Sequence, residues 1–90
     1  MTIEFDPAKD EANVRKHGVS LTEGDGVLLD ALALTVEDAA AEGEQRWQTI
    51  GSNSFGEVMI VVWTRRGQNT RVISVRRPEP QERRAYEEAG

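Results

Sequence analysis

The chain predicts an α+β domain of two layers, with N-terminal helices packed on an antiparallel sheet and a short helix at the C-terminus. Three observations carry this expectation. Capped helical segments fill the first third, three β-rich runs separated by glycine turns fill residues 46–76, and two prolines precede a polar helical segment at the end. Helices that cover one face of an antiparallel sheet make this layered class. With 90 residues the chain is expected to be one domain, 1–90, because single cores typically span about 50–250 residues.

Ile3-Glu4-Phe5 alternates apolar and polar side chains and reads as a short strand. Asp6-Pro7 then supplies an N-cap followed by proline at the first helical position, so a helix is expected from Ala8 to His17. Gly18 ends it, and the early acids Asp10 and Glu11 and late bases Arg15 to His17 suit the helix dipole. Ser20-Leu21-Thr22-Glu23 matches a capping box for a second helix ending near Leu29. Gly24 and Gly26 each cost roughly 1 kcal/mol relative to alanine in a helix interior, which predicts a short or irregular element. Leu32 to Glu37 reads as a strand and Asp38 to Glu44 as a mobile loop.

Arg46–Ser52, Val58–Thr64 and Thr70–Arg76 are strand candidates, joined by turns at Phe55-Gly56 and Arg66-Gly67. The second is apolar on both faces from Val58 to Trp63 and belongs at the centre of the meander. Strict alternation in the third would put Arg71, Ile73 and Val75 on one face and Val72, Ser74 and Arg76 on the other. Pro78 and Pro80 end that strand and open a helix from Gln81 to Glu88.

The composition excludes several classes of function. Without cysteine there is no disulfide, thiolate ligand or cysteine nucleophile, and a single histidine leaves no recognisable metal-ligand cluster, so neither metal nor cofactor is expected. The longest apolar run, Val58 to Trp63, falls far short of the roughly 20 residues a membrane helix needs, and the acidic start lacks a signal-peptide profile. The chain therefore reads as a soluble cytoplasmic protein. Its net charge of −5 conceals an asymmetry. Residues 1–44 carry eleven acids against Lys9, Arg15 and Lys16, whereas residues 45–90 carry eight arginines against five glutamates. The arginine fork suits bidentate contact with phosphate oxygens better than an ammonium does, so this half points to an oxyanion partner. A solvated sheet surface would show the same bias.

Two clusters could carry chemistry. Lys9, Asn13, Lys16 and His17 fall on one stripe of the first helix, a pattern shared with ordinary solvent-facing helix surfaces. Arg76 and Arg77 end a strand, and Glu82, Arg83, Arg84 and Tyr86 follow on the last helix, where Arg83 and Arg84 can pair with Glu87 and Glu88 at i,i+4 spacing. Metal-free RNA cleavage needs a base for the 2′-hydroxyl, cationic donors for the phosphorane and an acid for the leaving oxygen. Arg, His, Glu and Tyr can fill those roles, although nothing in the spacing is diagnostic by itself.

Phe5-Asp6-Pro7-Ala8-Lys9 through Asn13-Val14-Arg15-Lys16-His17-Gly18-Val19-Ser20 resembles the opening of the BrnT family of toxins. Gly43-Glu44-Gln45-Arg46-Trp47 to Gly51 resembles its first long strand. Ile73-Ser74-Val75-Arg76-Arg77 with Glu82-Arg83-Arg84-Ala85-Tyr86 resembles its closing strand and helix. The resemblance implies a RelE-like fold and a ribonuclease toxin of a type II toxin–antitoxin pair, which blocks translation by cutting RNA. It also implies a BrnA-type antitoxin that neutralises the toxin and alone brings the complex to operator DNA. On this basis His17, Arg76, Arg77, Glu82, Arg83 and Tyr86 are the candidate catalytic residues, and Lys9, Lys16, Arg46, Arg65 and Arg71 the candidate RNA-binding ones. Pro78-Glu79-Pro80 and the acidic net charge depart from the family's more basic pattern. The competing expectations are a non-catalytic co-repressor acting with its antitoxin, and a structural protein whose arginines receive an acidic peptide.

Overall fold

The computed structural model describes residues 2–38 and 43–89, so the central part of the expected 38–44 loop lies outside the described residues. The first strand, β1 (Thr2–Glu4), leads into α1 (Pro7–His17). The Asp6 carboxylate accepts the Ala8 N–H at 2.9 Å, and Gly18 adopts φ 72° while donating its N–H to the Val14 carbonyl. Only glycine takes that left-handed conformation without steric cost, which is why the helix stops there. Ser20 caps a 3₁₀ turn, Leu21–Glu23, which continues as α2 (Gly24–Leu29). The Asp10 carboxylate of α1 accepts from the Ser20 hydroxyl and the Leu21 N–H, fixing the angle between the two helices.

The glycines of α2 do more than shorten it. A Cβ at Gly24 would meet the Val72 methyls at 3.3 Å, and one at Gly26 would meet the Ser54 backbone nitrogen at 2.7 Å. The missing side chains let the helix approach the sheet and the turn at Asn53-Ser54 closely.

Four further elements are strands: β2 (Leu34–Glu37), β3 (Trp47–Ser52), β4 (Val58–Arg66) and β5 (Asn69–Arg76). The sheet order is β1-β5-β4-β3-β2, with β2 to β5 antiparallel as expected and β1 parallel to β5. The sheet is therefore mixed, which corrects the fully antiparallel expectation. A parallel pair needs a long crossover, and everything between β1 and β5 in sequence supplies one. Arg65 and Arg66 complete β4, and the hairpin turn itself is Gly67-Gln68.

Val19, Leu21 and Val27 from the helical side meet Met59, Val61, Val72 and Val75 of the sheet in one buried cluster. Val72 and Val75 share that face only because the β4–β5 register shifts between Val62 and Trp63, leaving Ile73 as an extra residue. Such a bulge reverses the inside–outside order beyond it, which overturns the strict alternation expected for this strand. Trp63 packs against the cluster, stacks on Trp47 with ring centroids 4.8 Å apart, and donates its indole N–H to the Thr49 hydroxyl.

The last helix, α3 (Pro80–Ala89), has no buried residue. Its Glu82 and Ala85 flank Ile60, Ile50 and Gln48, which alternate with the core-facing Met59, Val61, Thr49 and Gly51 and so point to the other face of the sheet. The helices therefore occupy both faces, and α3 begins a third layer where two were expected.

Candidate active site

Helix α1 brings the first set of cations into place. Apart from Asn13 none of its side chains is buried, so it does not dock by an apolar stripe. Asn13, only 6 % exposed, donates to the carbonyls of Val19 and Val75 at 2.8 Å and accepts the Val75 N–H at 3.2 Å. Its carboxamide thus stands in for a neighbouring strand along β5 beyond the stretch that β1 covers. Asn13 was expected on the exposed polar stripe; it is instead the joint between helix and sheet. Lys9, Lys16 and His17 flank it and, with Ile73 and Ser74, line a cleft of about 220 Å³ between α1 and the bulge.

Arg77 connects this cleft to a second one. Its Nη1 donates to the His17 carbonyl at 3.3 Å and passes 3.9 Å from where a Cβ on Gly18 would lie. The same residue lines a neighbouring cleft of about 250 Å³ with Gly56, Glu57, Val58, Pro78 and Arg83. Lys9, Lys16 and His17 thus border the first cleft and Arg77 and Arg83 the second, and the contact of Arg77 with the His17 carbonyl sets the two side by side at the end of β5. Arg83 is partly neutralised, since its Nε lies 2.7 Å from the Glu87 carboxylate.

Arg76, Glu82 and Tyr86 are held by other groups. Arg76 and Glu82 form a bidentate pair with both contacts at 3.0 Å, and Glu82 also accepts the Glu79 N–H at 2.7 Å, capping α3. The Arg76 hydrogen bond holds the Glu82 carboxyl below its ordinary range, and the same bond raises the guanidinium. Tyr86 donates to Asp30 at 2.5 Å and lies 3.2 Å from the Ser52 hydroxyl. Asp30 also accepts the N–H groups of Ser52 and Leu32. The Tyr86 bond, then those two, lowers the Asp30 carboxyl, and Asp30 in turn raises the Tyr86 phenol.

Arg46, Arg65 and Arg71 lie at the other end of the sheet. Arg65 pairs in register with Thr70, and six residues of strand at about 3.3 Å each put roughly 20 Å between that point and Arg76. Arg46 is 3.1 Å from Glu44, Arg71 is 3.8 Å from Glu4, and Arg65 borders a separate cleft with Trp63 and Thr70. Neither Asp30 nor Ser52 was foreseen in the sequence. Asp30 had a visible local signal, because its carboxylate accepts the N–H two residues on, as Asx turns do.

The clasps at Glu82, Asp30 and Tyr86 make the attachment of α3 pH-dependent. Carboxyls whose folded values fall below the ordinary 4.5 and 3.8 contribute stability that is complete above those values and lost as the pH drops through the lowered ones. A phenol raised above 10.0 contributes stability that is complete below 10.0 and lost as the pH climbs past its raised value. The Cα chemical shifts of α3 in NMR spectra should therefore stay helical between about pH 5 and 10 and move toward coil values outside that range. Tyr86→Phe should weaken α3 at neutral pH by about 1–2 kcal/mol; unchanged hydrogen exchange in α3 would refute the clasp.

A model of the family described as "Ribonuclease toxin, BrnT, of type II toxin-antitoxin system" matches residues 5–82, from the end of β1 into α3. The chain belongs to the BrnT family. The matched span includes Lys9, Lys16, His17, Arg76, Arg77 and Glu82 but stops short of Arg83 and Tyr86. The crystal structure of the Brucella abortus ribonuclease toxin BrnT shares the fold, with a TM-score of 0.69 at 24% sequence identity over 88% of this chain and 97% of that one. No curated protein matches the sequence significantly.

Proposed function

We propose that this BrnT-family chain is a metal-independent endoribonuclease that arrests translation, with RNA phosphates seated along the two adjacent clefts bordered by Lys9, Lys16, His17, Arg77 and Arg83. The observation that supports the reading is the contact of Arg77 with the His17 carbonyl, which sets the Lys9–Lys16–His17 cleft beside the Arg77–Arg83 cleft. In-line attack of a 2′-hydroxyl on the adjacent phosphate needs a proton acceptor, a role assigned here to the imidazole of His17, with the Glu57 carboxylate the other acceptor bordering the two clefts. Arg77 supplies a planar pair of donors for the charge that builds on the phosphorane oxygens. Arg76, Glu82 and Tyr86 serve the reaction by setting the position of α3 and hence of Arg83. Arg65, Arg46 and Arg71 would meet only the outer parts of a long RNA. Metal independence is part of the proposal, and cleavage in EDTA decides it. A BrnA-type antitoxin neutralises the protein, and operator DNA is reached only through that complex.

The test uses purified protein with RNA in EDTA, and growth after expression without the antitoxin. Wild type is expected to cut RNA and stop growth, whereas Lys16→Ala combined with Arg77→Ala, which spares the Arg76–Glu82 clasp, should do neither. Intact RNA with the wild-type protein, together with operator binding by the complex, would establish the co-repressor alternative.

A further inference from the structure

We infer that the groove between α3 and the β2 edge is the seat of a basic amphipathic helix from the partner antitoxin. This inference rests on the toxin–antitoxin reading and adds to it a place and a chemistry. The groove, about 220 Å³, is lined by Leu34 and Val36 of β2, Gln48 and Ile50 of β3, Ile60 of β4, and Glu82 and Ala85 of α3. Its floor is thus almost wholly aliphatic, yet Leu34 is 40% and Val36 64% exposed. All four residues of β2 are exposed, and the strand ends the sheet. Apolar side chains on a sheet face next to a docked helix occupy the position that a second helix covers in layered folds. Strands lie about 4.8 Å apart, so β2 and β3 beside α3 form a shelf about as wide as one helix, whose diameter is roughly 10 Å. Ala85, a small residue on the wall, leaves room for close approach.

Charge decides which helix fits. The described residues of β2 and its flanks, 29–38 and 43–44, contain Asp30, Glu37, Asp38 and Glu44 and neither lysine nor arginine, and of these acids Glu44 is paired with Arg46. The wall adds Glu82, whose charge Arg76 already shares. A second copy of this chain would bring the same acids against themselves, whereas a helix with an apolar stripe flanked by lysine or arginine complements both floor and rim. The position also accounts for neutralisation. Glu82 holds Arg76 and caps α3, so an occupant of the groove bears directly on the helix that carries Arg83.

The experiment measures binding of wild type and variants to the protein encoded by the adjoining gene, with calorimetry at two salt concentrations. Val36→Arg should weaken binding at least 100-fold while melting temperature and RNA cleavage stay at wild-type levels. Phe55→Arg, at a side chain 79% exposed in the β3–β4 turn, should bind normally. Wild-type affinity should fall as salt rises. Equal binding by Val36→Arg, or loss at Phe55→Arg instead, overturns the groove while leaving the antitoxin reading intact. Absence of any wild-type binding overturns both. A partner that adds an extended strand to β2, seen as new amide protection along that edge, overturns the helix. So does a self-dimer in sedimentation that Val36→Arg disperses.

Discussion

Asn13→Ala should be the most destabilising single polar substitution in the chain, at about 3–5 kcal/mol. The carboxamide donates to two backbone carbonyls and accepts one backbone N–H, all in a buried setting. Alanine strips the partner from each, and an unsatisfied buried group costs about 1–3 kcal/mol. No apolar contact compensates, because α1 buries no other side chain. For a domain of this size 1 kcal/mol shifts the melting temperature by about 4–8 °C, so the fall should exceed about 10 °C by circular dichroism. Asn13→Asp should be at least as damaging. It keeps the volume but loses both donated bonds and sets a carboxylate against two carbonyl oxygens. A melting curve that overlays wild type in either variant would show that α1 is held by something else. Because Lys9, Lys16 and His17 ride on the same helix, RNA cleavage should fall together with stability.

The contrast between Asn13 and its neighbours shows where sequence reading reached and where it stopped. The caps Asp6, Gly18 and Ser20 were legible because each acts on backbone within a few residues, and the three long strands were legible from side-chain type and turn glycines. Asn13 was placed on a polar stripe by its spacing, but its partners at Val75 are 62 positions away, and periodicity carries no information about a contact of that kind. The bulge at Ile73 is similar. It reverses the faces of β5 beyond it, yet an inserted residue in one strand is defined only relative to the other strand. The parallel pairing of β1 and the side taken by α3 depend equally on long-range packing. Arginine content drew attention to the C-terminal half of the chain but could not sort its members. Arg46 and Arg71 have the same chemistry as Arg77, and while Glu44 sits two residues from Arg46, only the fold puts Glu4 beside Arg71 and His17 beside Arg77.

That sorting yields the largest functional effect expected of a single substitution. Arg77→Ala should lower kcat/KM for RNA cleavage by about 10²-fold, the scale seen when one preorganised donor to a developing oxyanion is removed. Stability should change by no more than about 0.5 kcal/mol, because the side chain is exposed and its one hydrogen bond is to a carbonyl at the end of a helix. Arg77→Lys keeps the charge but not the planar fork and should fall in between. Arg76→Ala and Glu82→Gln should behave differently, losing activity together with α3 order, because each breaks the bidentate clasp. Arg83→Ala should cost less than Arg77→Ala, since Glu87 already shares its charge. Arg46→Ala, paired with Glu44 at the distant end of the sheet, should cleave nearly as well as wild type. Steady-state kinetics on one short RNA, with melting curves for every variant, separates these outcomes. If Arg77→Ala cleaves like wild type, or Arg46→Ala falls as far as Arg77→Ala was expected to, RNA does not follow the groove beside α1. The scissile phosphate would then have to lie toward the Trp63 and Arg65 end of the sheet.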